Sequence, residues 1–305
     1  MLVVINLAWL YAITKYGYPP SLNNIFNAFE DASRLGFRYI EVEAYKYRNL
    51  LEIENNRKEI LEKAESLDLK IVNFAGIFPE ILSPDLYVRA KGLEMMERSS
   101  KLAVYFGSKL LQTDTFTPPV EFVGGRPYSG GIVFGERYHV KIDESFSWRG
   151  FWSRLVEVMR KISKIADDYG LMFVIEPRIG ETISNSDAML RLMDEVNMEN
   201  FGAVLDTGHL NAAKELLPLS IEKLGEKIYY VHVSDNDGRD NRHLAPGNGL
   251  IDWDGVFKGL KKFGFDGPIA IDVGGENILN RLDEEVIQAK EFIESMVRKY
   301  DMALS

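Results

Sequence analysis

Apolar residues fall along this chain in short, near-continuous runs, and each run gives way to a longer segment whose apolar positions recur every three or four residues. The short runs are LVVINLAW (2–9), RYIEVEAY (38–45), KIVNFAG (70–76), KLLQTD (109–114), LMFVIEP (171–177), GAVLDTG (202–208), IYYVHVSD (228–235) and PIAIDVG (268–274). Such runs suit parallel strands buried on both faces. The longer segments predict helices. In SLNNIFNAFEDASRLG (21–36), Ile25, Phe26, Phe29, Ala32 and Leu35 share one face, with Ser21 as the N-cap and Gly36 as the stop. LLEIENNRKEILEKAESL predicts a helix after the second strand and DLYVRAKGLEMMERSSKLAVYFG one after the third. Further helices are predicted at 152–169, 186–196, 220–227, 253–263 and 283–300.

Eight strand–helix units predict one α/β domain, a single (β/α)8 barrel over residues 1–305. A doubly wound sheet has the same pattern but needs a glycine loop after its first strand, and residues 6–10 read NLAWL. One segment breaks the alternation. PPVEFVGGRPYSGGIVFGERYHVKIDESF (118–146), after the fourth strand, is long and rich in glycine. Long loops on a barrel mouth serve as lids or as arms of a homo-oligomer. His139, within it, reads as structural.

Composition narrows the chemistry. The net charge of −10 leaves no default attraction to nucleic acid or anionic lipid, so neither is an expected partner. With no cysteine, any metal site is built from His, Asp, Glu and backbone oxygens. No apolar run reaches the ~18 residues of a membrane span. The apolar start MLVVINLAWLYAITKYG lacks the basic leader and cleavage site of a secretion signal, so the expected location is cytoplasmic.

In a barrel the chemistry sits where strands end. Strand five ends in Glu176, strand six in Asp206, strand seven in His232 and strand eight in Asp272. A carboxylate at the edge of an apolar run is costly unless paired or bound to a cation. Four such groups on four consecutive strands predict a divalent metal at their common centre. One imidazole and three carboxylates suit Mn²⁺ first, then Co²⁺ or Mg²⁺, with Zn²⁺ as the competitor by affinity. Glu43, Asn73, Gln112 and Asp114 stand at other strand ends and are candidates for substrate hydroxyls; Arg178 is a candidate for a substrate anion. Trp9 and Phe78 are candidates for an apolar wall. In YYVHVSDNDGRDNRHLAPGNGLIDW (229–253), Asp235 is expected to orient His232 or a substrate hydroxyl. Arg239, Arg242 and His243 suit the oxygens of a sugar or a phosphate. Asp237 and Asp240 read as solvated, and Asp252 as the cap of the helix from Trp253.

FVIEP, VLDTGHLN, HVSDN and HLAPGNGLIDW resemble the xylose isomerase-like TIM-barrel superfamily, in its sugar (phosphate) isomerase/epimerase branch. The resemblance implies metal ligation by Glu176, Asp206, His232 and Asp272, with His209 contacting substrate or a second metal. It implies a small carbohydrate substrate and isomerisation or epimerisation by proton transfer through an enediolate. Glu176 is the expected acid/base, with Asp272, His209 or a strand-two glutamate as partner; a hydride shift is the competing route. Asp272 departs from the glutamate usual in such epimerases, which puts a two-glutamate mechanism in doubt. Three other readings share the fold: a metal-dependent polyol or keto-acid dehydratase of the inosose dehydratase type, an apurinic-type endonuclease, and a non-catalytic sugar-binding barrel. The endonuclease needs a histidine-rich zinc cluster, and no histidine precedes residue 139.

Overall fold

In the computed structural model, residues 3–127 and 138–304 are described. The predicted barrel is present. Numbered along the chain, its strands are β1 (Val4–Leu7), β2 (Tyr39–Tyr45), β3 (Lys70–Ile77), β4 (Leu110–Thr113), then β7 (Met172–Ile175), β8 (Phe201–Asp206), β9 (Ile228–Val233) and β10 (Pro268–Ile271). β5 (Glu121–Val123) and β6 (His139–Lys141) form a separate antiparallel hairpin. The eight parallel strands close in the order β1-β10-β9-β8-β7-β4-β3-β2.

Strand alternation divides the core in two. Outward residues pack under the surrounding helices, while Leu110, Val174, Val204, Tyr230 and Ala270 join Ala8 in a small apolar cluster. Successive side chains of a strand point to opposite faces, so the residue two further along points the same way. Two residues beyond those five are Gln112, Glu176, Asp206, His232 and Asp272. The apolar layer thus carries a polar layer at the C-terminal ends of the strands.

The helices follow the predicted pattern with three differences. The first strand stops at Leu7, and Trp9–Tyr16 forms a helix the sequence reading had not separated. Periodicity cannot distinguish a buried strand from a buried helix in so apolar a run. The helix expected through 50–67 is two, Lys46–Asn55 and Arg57–Ser66, parted at Asn56. The Asn56 amide donates to the Glu52 carbonyl at 2.7 Å, giving the backbone a local competitor. The helix expected at 220–227 runs Leu217–Leu224, with Pro218 in its first turn, after a short helix Thr207–Ala212. The centre of the insert, 128–137, lies outside the described residues; His139 sits exposed on the hairpin. Among the described residues, no helix is long and apolar enough to cross a membrane.

An ion network ties the start of the chain to its end. Asp31 accepts from Lys15 Nζ at 2.8 Å, Arg34 Nη2 at 2.7 Å and Tyr16 Oη at 2.5 Å. Asp283, in the first turn of Leu282–Lys299, accepts from Tyr11 Oη and Arg34 Nη2, both at 2.6 Å. Burial raises the Asp31 pKa, but hydrogen bonds from Arg34, Lys15 and Tyr16 outweigh it and hold it at about 2. A depressed carboxylate stabilises the fold above its unfolded pKa, and the effect is lost as pH falls through its folded value. Asp31→Asn is expected to cost about 1–2 kcal/mol near pH 7 after discounting for solvent screening. Urea unfolding should show the two proteins converging as the pH falls from 4 towards 2. A gap independent of pH would show that the network does not act through the Asp31 charge.

Candidate metal centre and active site

The strand-end residues meet in a cavity of about 110 Å³ at the barrel mouth, lined among others by Glu41, Glu43, Gln112, Glu176, Arg178, His209, His232, His243 and Asp272. His232 is central. Its Nδ1 lies 3.8 Å from Glu176 Oε1 and 4.0 Å from Asp206 Oδ2, and its Nε2 lies 3.7 Å from Glu41 Oε2. Asp206, His232 and Asp272 each place one donor atom within 4.8 Å of the others, and so do Glu176, Asp206 and His209. The four residues expected to share a centre thus fall in two triads that have Asp206 in common, with His209 in the one that holds Glu176.

The donor chemistry fits a divalent cation. Asp206 is fully buried; its Oδ1 accepts from the His209 backbone N–H at 2.6 Å, while its Oδ2 has no hydrogen-bond partner. An orphaned carboxylate oxygen in a dry site is costly unless something positive faces it. The electrostatics agree. Burial, reinforced by Asp206, lifts the Glu176 pKa well above the carboxylate range despite His232 and Arg178. Burial alone would depress His232, but Glu176, Glu41 and Asp272 push it up to about 10. Burial and three neighbouring cations keep His209 well below its usual value, hence neutral.

Asp272 is held from the loop above. Its Oδ2 lies 2.9 Å from His243 Nδ1, and its backbone carbonyl 3.1 Å from the same nitrogen. Burial raises the Asp272 pKa, but His243 outweighs it and keeps the carboxyl below its ordinary value. Asn241 links the two mouth histidines, its amide lying 3.0 Å from His209 Nδ1 and 3.1 Å from His243 Nε2. The glycine of DTGH permits this contact: a Cβ on Gly208 would sit 2.3 Å from Ser234 Oγ and 2.7 Å from Asn241 Oδ1.

Several sequence expectations change here. Asp235 does not face the cavity. Its carboxylate accepts from the backbone of Asn236 (2.9 Å), Gly247 (2.9 Å) and Ile251 (3.2 Å) and from Trp253 Nε1 (2.8 Å), so it is the fully buried hub of the 229–253 loop. Arg239 and Arg242 are exposed and outside the cavity lining, with Arg242 paired to Asp240 at 3.3 Å. His243 takes a left-handed φ of 45° and lines the cavity. Arg178 does line the cavity, but its guanidinium donates to Asp114 at 2.5 Å and to His209 at 3.4 Å and lies 3.7 Å from Glu181. That arrangement weakens it as a receptor for a substrate anion. Phe78 is buried in the core, whereas Trp9 lines the cavity with an indole N–H that lacks a partner. Asp252 caps its helix as expected, accepting from Gly255 N at 2.9 Å.

Sequence reasoning missed Glu41 and Asn241. The first carried a signal: Glu41 lies two residues before Glu43 on the same inward face of β2. Glu43 lines the outer part of the cavity, its Oε1 has no partner, and burial with help from Asp114 lifts it to about 8.

The chain is similar to several known proteins. The chain is 30% identical to the inosose isomerase of Bacillus subtilis over 156 residues, 48% of this chain and 55% of that protein. It is 24% identical to the D-psicose 3-epimerase of Ruminiclostridium cellulolyticum over 246 residues, 80% of this chain and 76% of that one. The chain spans about half the length of the curated inosose isomerases it matches. Its fold superposes on the crystal structure of the IOLI protein with a bound zinc atom, with a TM-score of 0.69, 18% identity, and coverage of 98% of this chain and 99% of that one. The family model described as xylose isomerase-like TIM barrel matches residues 29–296, and the chain belongs to that family.

Proposed function

We propose that this protein is a divalent-metal-dependent isomerase or epimerase of small, unphosphorylated polyhydroxy carbonyl compounds, acting by proton transfer beside the carbonyl. The observation that carries the reading is the position of Glu176 Oε1, 3.8 Å from His232 Nδ1 and 3.9 Å from His209 Nε2. Glu176, Asp206, His232 and Asp272 would hold the cation, which when bound supplies Lewis-acid polarisation of a substrate carbonyl. The zinc in the IOLI protein, which shares this fold, supports a divalent cation here.

The chain's own groups then have distinct tasks. Glu176, whose carboxyl is lifted above its ordinary range by burial, takes the proton from the carbon next to the carbonyl. Neutral His209 lies beside the same oxygen, its Nε2 accepting from Arg178 Nε at 3.4 Å. Asp272, ionised at rest, takes the proton of His243 Nδ1 at 2.9 Å and returns it to the carbon; His243 and Glu176 then reset by proton exchange with solvent. The unpartnered Trp9 N–H and Glu43 Oε1 suit further hydroxyls. The arginine that lines the cavity already faces Asp114 and Glu181, which leaves it poorly placed to take a phosphate.

The His243–Asp272 pair also favours a second reading, since a histidine-backed carboxyl can protonate a leaving hydroxyl. That is the dehydratase reaction, on cyclic polyol ketones. One experiment separates the two. Metal-loaded protein is incubated in D2O with ketohexoses, inososes and their phosphates. The epimerase reading expects deuterium at the carbon beside the carbonyl without loss of mass. Phosphates should react at least about tenfold more slowly, a difference of about 1.4 kcal/mol. Loss of water identifies the dehydratase. Turnover without deuterium uptake identifies a hydride shift, and a preference for phosphates overturns the substrate class.

A further inference from the structure

We infer that Glu41 is the positioning carboxylate of the centre, fixing the His232 imidazole by its Nε2 edge so that Nδ1 faces Glu176 and Asp206. The inference rests on the metal reading above. It begins from an orphan: His232 Nε2 is buried without a hydrogen-bond partner, and Glu41 Oε2 stands 3.7 Å from it. A ring nitrogen facing a carboxylate keeps its proton, and the other nitrogen is left as the ligand.

Glu41 cannot turn away. Its Oε1 accepts from the Trp9 backbone N–H at 2.6 Å, and its Oε2 accepts from Tyr230 Oη at 2.8 Å and Asn73 Nδ2 at 3.1 Å. Each of these partners donates, and an ionised carboxylate accepts from all of them. Burial raises the Glu41 pKa, but His232, Trp9 and Asn73 outweigh it and hold the group below its ordinary value. Tyr230 is pinned in turn by Asn6 Nδ2 at 2.7 Å, and its ring meets the His232 ring edge-on at 4.7 Å between centroids. The aromatic contact sets the plane of the imidazole, and the carboxylate sets which edge faces the cup.

A second arm runs from Glu41 to the proposed base. Asn73 Nδ2 also donates to Gln112 Oε1 at 2.7 Å, and Gln112 Nε2 donates to Glu176 Oε2 at 3.3 Å. One oxygen of Glu176 is thereby held from β4, leaving Oε1 towards the two histidines. Glu43, on the same strand face, is hydrogen-bonded by Tyr18 and keeps Oε1 without a partner, so the two glutamates divide into a support and a substrate-side group.

The test uses full-length protein stripped by chelation and titrated with zinc, a diamagnetic probe. Glu41→Ala is expected to weaken zinc binding by about 10–100-fold. Glu41→Gln, which keeps an acceptor carbonyl, should lose less. By ¹⁵N NMR, zinc-loaded wild type should carry a protected proton on His232 Nε2, which Glu41→Ala exposes to fast exchange. A merely structural role would not move that signal. Unchanged zinc affinity in a folded Glu41→Ala protein, or a proton on Nδ1 of His232, overturns the inference while leaving the metal centre intact. If the alanine variant does not fold, Glu41→Gln, a weaker acceptor, is expected to speed exchange of the His232 Nε2 proton relative to wild type, and an unchanged rate overturns the inference. Wild type that binds no zinc overturns the metal centre itself.

Discussion

Glu176→Gln is expected to lower turnover by about 10²–10⁴-fold, the range that a positioned acid or base supplies. Glutamine matches glutamate in size and can still take the hydrogen bond from Gln112 through its carbonyl. It cannot accept the substrate proton. The folded protein should not suffer. A buried carboxyl with a raised pKa destabilises the fold once the pH exceeds its unfolded value, because ionisation is disfavoured inside. The metal-free variant should therefore be as stable as wild type, or more so, at pH 7 and above. Because Glu176 is also a proposed ligand, rates are to be compared at saturating metal. Wild-type kcat in the saturated, folded variant would remove Glu176 from the reaction.

Stripping the metal is expected to abolish activity, and Asp206→Asn to make that loss permanent. The asparagine carbonyl can retain the bond from His209 N that caps Thr207–Ala212. Its amide then replaces the orphaned Oδ2 with a donor, which repels a cation. Wild type should bind one divalent ion per chain and gain about 2.7 kcal/mol at a hundred times the Kd. The variant should show no metal-dependent rise in Tm. The pH dependence has a definite sign. His232 keeps its proton up to about 10 in the cup without metal, so metal must displace that proton. Affinity should rise with pH between 7 and about 10, by up to about tenfold per unit for one proton released. Calorimetry in buffers of different ionisation enthalpy measures the release. Metal uptake by Asp206→Asn equal to wild type would relocate the site.

The strand-end residues were legible because a barrel interior has a period of two. Val174 and Glu176, Val204 and Asp206, Tyr230 and His232, and Ala270 and Asp272 each place an apolar residue below a polar one on the same face. The βα alternation then puts those polar residues at one end of one barrel. Loop residues have no such period. Asp235 looked like a partner of His232, but it is turned away by donors up to eighteen residues further along the chain, the last of them Trp253 Nε1. Arg178 looked available for an anion until the fold set Asp114 against it across 64 residues of sequence.

The order of apolar and polar residues by itself determined the barrel, its strand ends and which polar residues stand at them, because backbone geometry translates local spacing into facing. Only the tertiary structure decided which glutamate of β2 supports His232, which loop side chains enter the cavity and which arginine is already neutralised. Those outcomes depend on hydrogen bonds and charges between groups far apart in the chain, and their partners exist only once the barrel has closed.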